Sequence, residues 1–199
     1  MKPFFIFSLP RSGTAWLSNF LTWGNAFCFH EVSYGCGSME EIRDAFLRTE
    51  CPVVGACDTA ASVYAHAIEG TFPNARFVIV LRDPREAHDS LVSIGASGES
   101  IPACSENLSW VASHMDCLTI PFERLFSQHA LREIWEHVRM PDPFPWRRFE
   151  MLREYRIEDI ERFVCYSDEQ MNQQREAIGR FEKMVEALPR RFAEQEARA

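Results

Sequence analysis

The chain opens with a continuous apolar run, PFFIFSL at 3–9, closed by Pro10 and Gly13. Four apolar side chains in succession do not alternate, so the run predicts a strand buried on both faces, as in a parallel sheet. Residues 14–23 then carry Trp16, Leu17, Phe20 and Leu21 at helical spacing. A short apolar segment at 26–29 predicts a second strand, and Gly and Ser at 33–38 a loop. Residues 39–48 read as a helix with Met39, Ile42, Phe46 and Leu47 inward. Segment 52–57 predicts a third strand, and 59–70 a helix capped by Asp58 or Thr59 and stopped by Gly70. RFVIVL at 76–81 is the strongest strand, followed by a helix from Asp83-Pro84 to about Ile94. The stretch 95–105 reads as a loop, 106–115 as a helix and 117–122 as a strand.

After residue 128 the strand pattern stops. PDPFP at 141–145 breaks one helical stretch from the next, and the Ser167–Gln170 capping box opens a helix to about Leu188. Strands alternating with helices predict an α/β three-layer sandwich around a mainly parallel sheet, with a helical C-terminal part. One domain over 1–189, followed by a polar tail at 190–199, accounts for all 199 residues.

Charge narrows the choice of ligands. The net charge is −8, and of 21 basic residues only Lys2 and Lys183 are lysines. An acidic chain offers no broad electrostatic grip on nucleic acid. An anionic ligand must be held locally, by arginines and backbone N–H groups. The seven cysteines form no C-x-x-C and have no zinc spacing with histidine, which predicts reduced thiols in a cytoplasmic protein. Neither a signal-peptide core nor a membrane-spanning run occurs in the sequence.

LPRSGTAWL at 9–17 lies where a buried strand meets a helix, the place where α/β proteins bind anions. Gly13 permits close backbone approach, Ser12 and Thr14 supply hydroxyls, and Arg11 supplies a permanent fork of donors. The loop is not the nucleoside-triphosphatase type, because Ser8 replaces its first glycine and no lysine follows Gly13. A second motif, RDPREAHDS, sets Arg82 at a strand end and Ser90 eight residues later in a helix. The two residues there are placed to hold a second phosphate, or Arg82 simply pairs with Asp83 or Asp89.

Together, LPRSGTAW and FVIVLRDPREAHDS resemble the sulfotransferase superfamily, which uses 3′-phosphoadenosine-5′-phosphosulfate (PAPS) as sulfuryl donor. LTIPFERLF at 118–126 resembles the family's strand followed by Tyr-Glu-x-Leu, with Phe122 for the tyrosine. The resemblance implies a fold related to the P-loop nucleotide kinases. It implies Arg11, Ser12, Gly13, Thr14 and Ala15 at the 5′-phosphosulfate, Trp16 beside the adenine, and Arg82 and Ser90 at the 3′-phosphate. It implies transfer from PAPS to a hydroxyl or amine acceptor, with Arg11 stabilising the leaving phosphate and no metal required. The other readings are a nucleotide-binding relative without catalysis and a phosphoryl-transfer relative. Arg11 in place of lysine, and the lack of the C-terminal Arg-Lys-Gly and Gly-x-x-Gly-x-x-Lys elements, lean toward the protein, carbohydrate and bacterial-type branch.

For the acceptor's base, Glu31 matches the position of the glutamate in the protein-tyrosine branch. It is otherwise a surface carboxylate or a cap, and His30 is the second candidate. Cys57-Asp58-Thr59 stands where the cytosolic branch carries Lys-Thr-His, so Asp58 is a base, an acceptor anchor or a helix cap. The loops at 33–38 and 95–105 are expected to border the acceptor.

Overall fold

In the computed structural model of the protein, residues 1–154 are described. The expected helix at 167–188 and the tail at 190–199 lie outside them. Five strands form one sheet: β1 (Lys2–Ser8), β2 (Ala26–His30), β3 (Val53–Asp58), β4 (Arg76–Leu81) and β5 (Cys117–Pro121). The order is β2-β3-β1-β4-β5, and every pairing is parallel. The expected parallel sheet is therefore present, with β1 at its centre.

Burial on both faces explains the unbroken apolar run in β1. Phe5 and Phe7 point into a core with Phe46, Ile68, Phe77 and Leu108. Phe4 and Ile6 point the other way, among Leu17, Phe20, Ile134 and Trp135. Each buried phenylalanine contributes about 1.5–3 kcal/mol of transfer free energy, so the central strand anchors both layers. Gly55 on β3 permits this packing: a Cβ there would stand 2.3 Å from the Phe4 ring.

Helices α1 (Thr14–Leu21), α8 (Gln128–His137) and α9 (Trp146–Glu154) cover one face. The short turns α2 (Val32–Gly35) and α7 (Phe122–Leu125) follow β2 and β5. Helices α3 (Met39–Arg48), α4 (Ala65–Thr71), α5 (Pro84–Ser93) and α6 (Ile101–His114) contribute to the opposite face.

Several boundaries depart from the sequence pattern. Leu47 is 56% exposed, and Ala45 takes its expected place on the buried stripe of α3. Part of the expected loop at 33–38 is the helical turn α2. The expected helix over 59–70 divides into a 3-10 turn at Ala61–Tyr64 and α4, and Gly70 lies inside α4 instead of stopping it. The split follows from Asp58, whose Oδ1 accepts the N–H groups of Ala60 and Ala61 and tightens that turn. Helix α6 begins at Ile101, five residues before the position expected, with Pro102 in its first turn.

Candidate active site

Parallel pairing brings every carboxyl-terminal strand end to one edge. Register sets His30 beside Cys57, Phe7 beside Asp58 and Ser8 beside Val80. The loop after β1, the His30-Glu31 pair, the Asp58-Thr59 pair and Arg82 therefore line the edge where ligands collect in open α/β sheets.

The loop from Leu9 to Gly13 turns sharply. Arg11 has φ 64° and Gly13 has φ 76°, both left-handed. Gly13 is required there, since a Cβ would also stand 3.0 Å from Phe126 Cζ and 3.3 Å from Leu125 Cδ2. Gly13 is the N-cap of α1 and provides no side chain to cap its first N–H groups. The hydroxyls of Ser8 and Ser12 are buried at the same turn without a hydrogen-bond partner among the described residues. Buried hydroxyls ordinarily find partners, so two orphans beside an uncapped helix start fit a ligand with several acceptor oxygens.

The second motif joins the first. Arg11 Nε donates to Ser90 Oγ at 3.3 Å, and Arg82 Nη1 donates to the carbonyl of Arg11. Arg82 also lies 4.3 Å above the centre of the Phe122 ring, so the residue in the family's tyrosine position carries a guanidinium on its face. Among the described residues its Nε has no hydrogen bond, and it stands 3.8 Å from Glu86 Oε2. Burial lowers its pKa, with Glu86 opposing and Arg11 reinforcing that shift. Asp83 is occupied otherwise, accepting from the N–H groups of Arg85 and Glu86 as the N-cap of α5. Asp89 lies against His88.

Trp16 takes a core position. It is 5% exposed, stacks on Phe20 at 5.5 Å and donates its indole N–H to Leu152 O at 2.8 Å. The aromatic ring next to Gly13 is that of Phe126, which meets Trp16 edge-on at 5.2 Å. Ala15 lies in the first turn of α1, and its carbonyl accepts from Ser18 and Asn19.

The two carboxylates at the edge have different surroundings. Asp58 is fully buried and accepts four hydrogen bonds, from the N–H and hydroxyl of Ser33 and the N–H groups of Ala60 and Ala61, at 2.8–2.9 Å. It caps the 3-10 turn and ties α2 to β3. Glu31 is 13% exposed and adopts φ 55°. Its Oε2 accepts from the N–H and the hydroxyl of Thr59 at 2.9 and 3.0 Å, and its Oε1 lies 3.7 Å from His30 Nε2. Burial, then the charge of Asp58, pushes the Glu31 carboxyl well above the usual range against the opposing donors of Thr59. The His30 ring stands 3.1 Å from Thr14 Oγ1, and partial desolvation lowers its pKa, with the charge of Asp58 opposing. His30 thus connects the β1–α1 loop with Glu31.

No protein-family model matches the chain, and no curated protein matches it in sequence. Solved structures do match its fold. A sulfotransferase domain from the curacin biosynthetic pathway superposes with a TM-score of 0.56 at 16% identity, over 71% of this chain and 75% of that one. The mouse sulfotransferase SULT7A1 complexed with PAP gives 0.58 at 10% identity, over 82% and 68%. A sulfotransferase from Alicyclobacillus acidocaldarius gives 0.52 at 14% identity, over 94% and 95%.

The chain has the sulfotransferase fold. Within that fold, Arg11 to Gly13 form the turn after the central strand, Thr14 to Trp16 open α1, and Arg82, just after β4, and Ser90 on α5 flank the turn. No helix of the described residues is long and apolar enough to cross a membrane. Cys28, Cys36, Cys51, Cys57, Cys104 and Cys117 are free thiols. Ser8 and Thr59 join the site without having been singled out for it from sequence. Ser8 closes an apolar strand run at the position of the phosphate loop's first glycine, and Thr59 follows another strand in the segment set against Lys-Thr-His, which are the signals that could have found them.

Proposed function

We propose that the protein transfers a sulfuryl group from PAPS to a hydroxyl or amine acceptor. The observation that carries this reading is the pair of buried, unpartnered hydroxyls, Ser8 and Ser12, at an uncapped helix start joined to Arg11, Arg82 and Ser90. Such a cradle suits a ligand with two anionic groups. The residues present fit PAPS: Ser8, Ser12, Thr14 and the first N–H groups of α1 face its 5′ side, and Arg82 and Ser90 its 3′-phosphate. One solved structure of this fold is complexed with PAP, which supports the same ligand class.

PAPS supplies an activated sulfuryl group and a phosphate leaving group. Arg11 holds the oxygen on which charge builds as the bond to sulfur breaks, a contact that strengthens in the transition state. Glu31 takes the acceptor's proton as the new bond to sulfur forms. Asp58 does not serve as that base, because four donors already occupy its oxygens.

The test combines binding and turnover. PAP should bind more tightly than AMP by roughly 1–3 kcal/mol, the range for hydrogen bonds to charged groups. Arg82→Ala should remove that difference. Radiolabelled PAPS presented with phenolic, sugar and amine acceptors should yield a labelled product. Equal affinity for PAP and AMP, with no PAPS turnover, would refute the proposal. Tighter binding of ATP with Mg²⁺ than of PAP would instead support the phosphoryl-transfer reading.

A further inference from the structure

Glu31 holds an unfavourable backbone conformation. A left-handed φ costs a non-glycine residue on the order of 1–3 kcal/mol and persists where the surroundings over-determine it. Two contacts do so here. The Glu31 N–H donates to the carbonyl of Cys57 at 2.9 Å, fixing the backbone to β3. Thr59, two residues further on and 5% exposed, fixes the side chain with its N–H and its hydroxyl on one oxygen.

We propose that Thr59 is the positioning residue of this site, holding Glu31 Oε2 with two donors so that Oε1 is the oxygen that takes the acceptor's proton. The proposal rests on the reading of Glu31 as the base. The Thr59 hydroxyl also bonds the Tyr34 phenol, which burial keeps protonated and able to donate, so the single hydroxyl proton goes to Glu31 Oε2 at 3.0 Å. Oε2 then has two donors facing it, so protonation falls on Oε1, 3.7 Å from His30 Nε2, and Asp58 hydrogen-bonds the protonated carboxyl.

The same two bonds tune the carboxyl. The groups around Glu31 are His30 on β2, Cys57 and Asp58 on β3 and Tyr34 on α2. Partial desolvation lowers the His30 pKa although its side chain is 43% exposed, and burial favours the protonated Cys57 thiol and Tyr34 phenol. Asp58 opposes ionisation of Glu31, so no full cation among these groups offsets it. Thr59 supplies hydrogen bonds that favour the ionised, proton-accepting form. Without them the folded carboxyl holds its proton still more tightly, and a smaller fraction of it is ready to act as a base.

The experiment uses the full chain with Thr59→Val, Thr59→Ala and Thr59→Ser. Its deciding readout is the ¹³C NMR titration of the Glu31 carboxyl, assigned by its loss in Glu31→Gln, which requires no acceptor. Thr59→Val and Thr59→Ala should both move that titration to higher pH, because the hydroxyl is lost and the N–H remains. Thr59→Ser keeps the donor and should titrate as the parent does. PAP affinity should be unchanged in all three, reporting an intact fold. In single-turnover transfer, the acid limb of the pH–rate profile should move with the carboxyl in Thr59→Val, with a loss of about tenfold or more at neutral pH. A Glu31 titration identical in parent and Thr59→Ala, or a Thr59→Ser variant that behaves as Thr59→Ala, would overturn the proposal. Unchanged transfer in Glu31→Gln would instead overturn the reading of Glu31 as the base, a failure seen on a different variant.

Discussion

Two carboxylates three ångströms from their donors, Asp58 and Glu31, carry opposite duties by virtue of how many donors surround each. Asp58 is saturated, and its oxygens hold the first turn after β3 and the start of α2. Glu31 has one oxygen bound by Thr59 and its carboxyl pushed up by burial. Asp58→Asn should therefore act on stability. An amide turned toward the Ser33 N–H opposes donor to donor, and an unsatisfied buried group costs about 1–3 kcal/mol, readable by urea unfolding. Glu31→Gln should leave PAP affinity intact and lower transfer by about 10²–10⁴-fold in single turnover. If folded Asp58→Asn loses transfer and Glu31→Gln keeps it, the assignments are reversed. From sequence, Glu31 stands out through the resemblance to the family's glutamate, and Asp58 is open as base, acceptor anchor or cap. Only the count of donors, which register and turn geometry decide, separates them.

At the scale of elements, the β1–α1 turn concentrates the binding chemistry. Gly13→Ala introduces a left-handed residue, at about 1–2 kcal/mol, and a Cβ 3.0 Å from Phe126 Cζ. Thermal unfolding should report the loss, and PAP affinity should fall because the loop and the start of α1 shift together. Phe126→Ala in the same chain should relieve the contact but not the backbone cost, so rescue should be partial. Much of this level was legible in the sequence. The run Phe4–Phe7 could only be a strand covered on both faces, and α3 falls at Met39–Arg48 as its period requires. Misplaced boundaries have local causes. Gly70 sits at the end of α4 without terminating it, and Pro102 opens α6 earlier than its apolar stripe suggested. Trp16 fits the helix period and the phosphate-loop pattern equally well. Its core packing is completed by α9, where the carbonyl of Leu152, 136 residues away in sequence, accepts the indole N–H. Contacts of that separation leave no local trace in the chain.

For the whole molecule, one acidic protein of net charge −8 gathers Arg11 and Arg82 at the same sheet edge that holds a reluctant carboxyl at Glu31. That carboxyl links the site to global stability. Burial and Asp58 raise its folded pKa above the unfolded value near 4.5. A raised pKa means that the folded chain holds its proton more tightly than the unfolded chain does. The contribution of Glu31 is therefore fully present below the unfolded pKa and is lost as pH rises through the folded one. His30 has the opposite sign: its lowered pKa makes the folded chain lose stability as pH falls below about 6.5. A plain stability–pH curve mixes the two, and the difference between parent and Glu31→Gln separates them. Glutamine does not titrate, so the variant should gain on the parent as pH rises from about 4.5 and the gain should level off above the folded pKa. Urea unfolding of both chains across pH 4–9 measures that difference directly. A gap that stays constant with pH would show that Glu31 titrates alike in both states, and the buried, Asp58-opposed carboxyl on which its role as base depends would have to be abandoned.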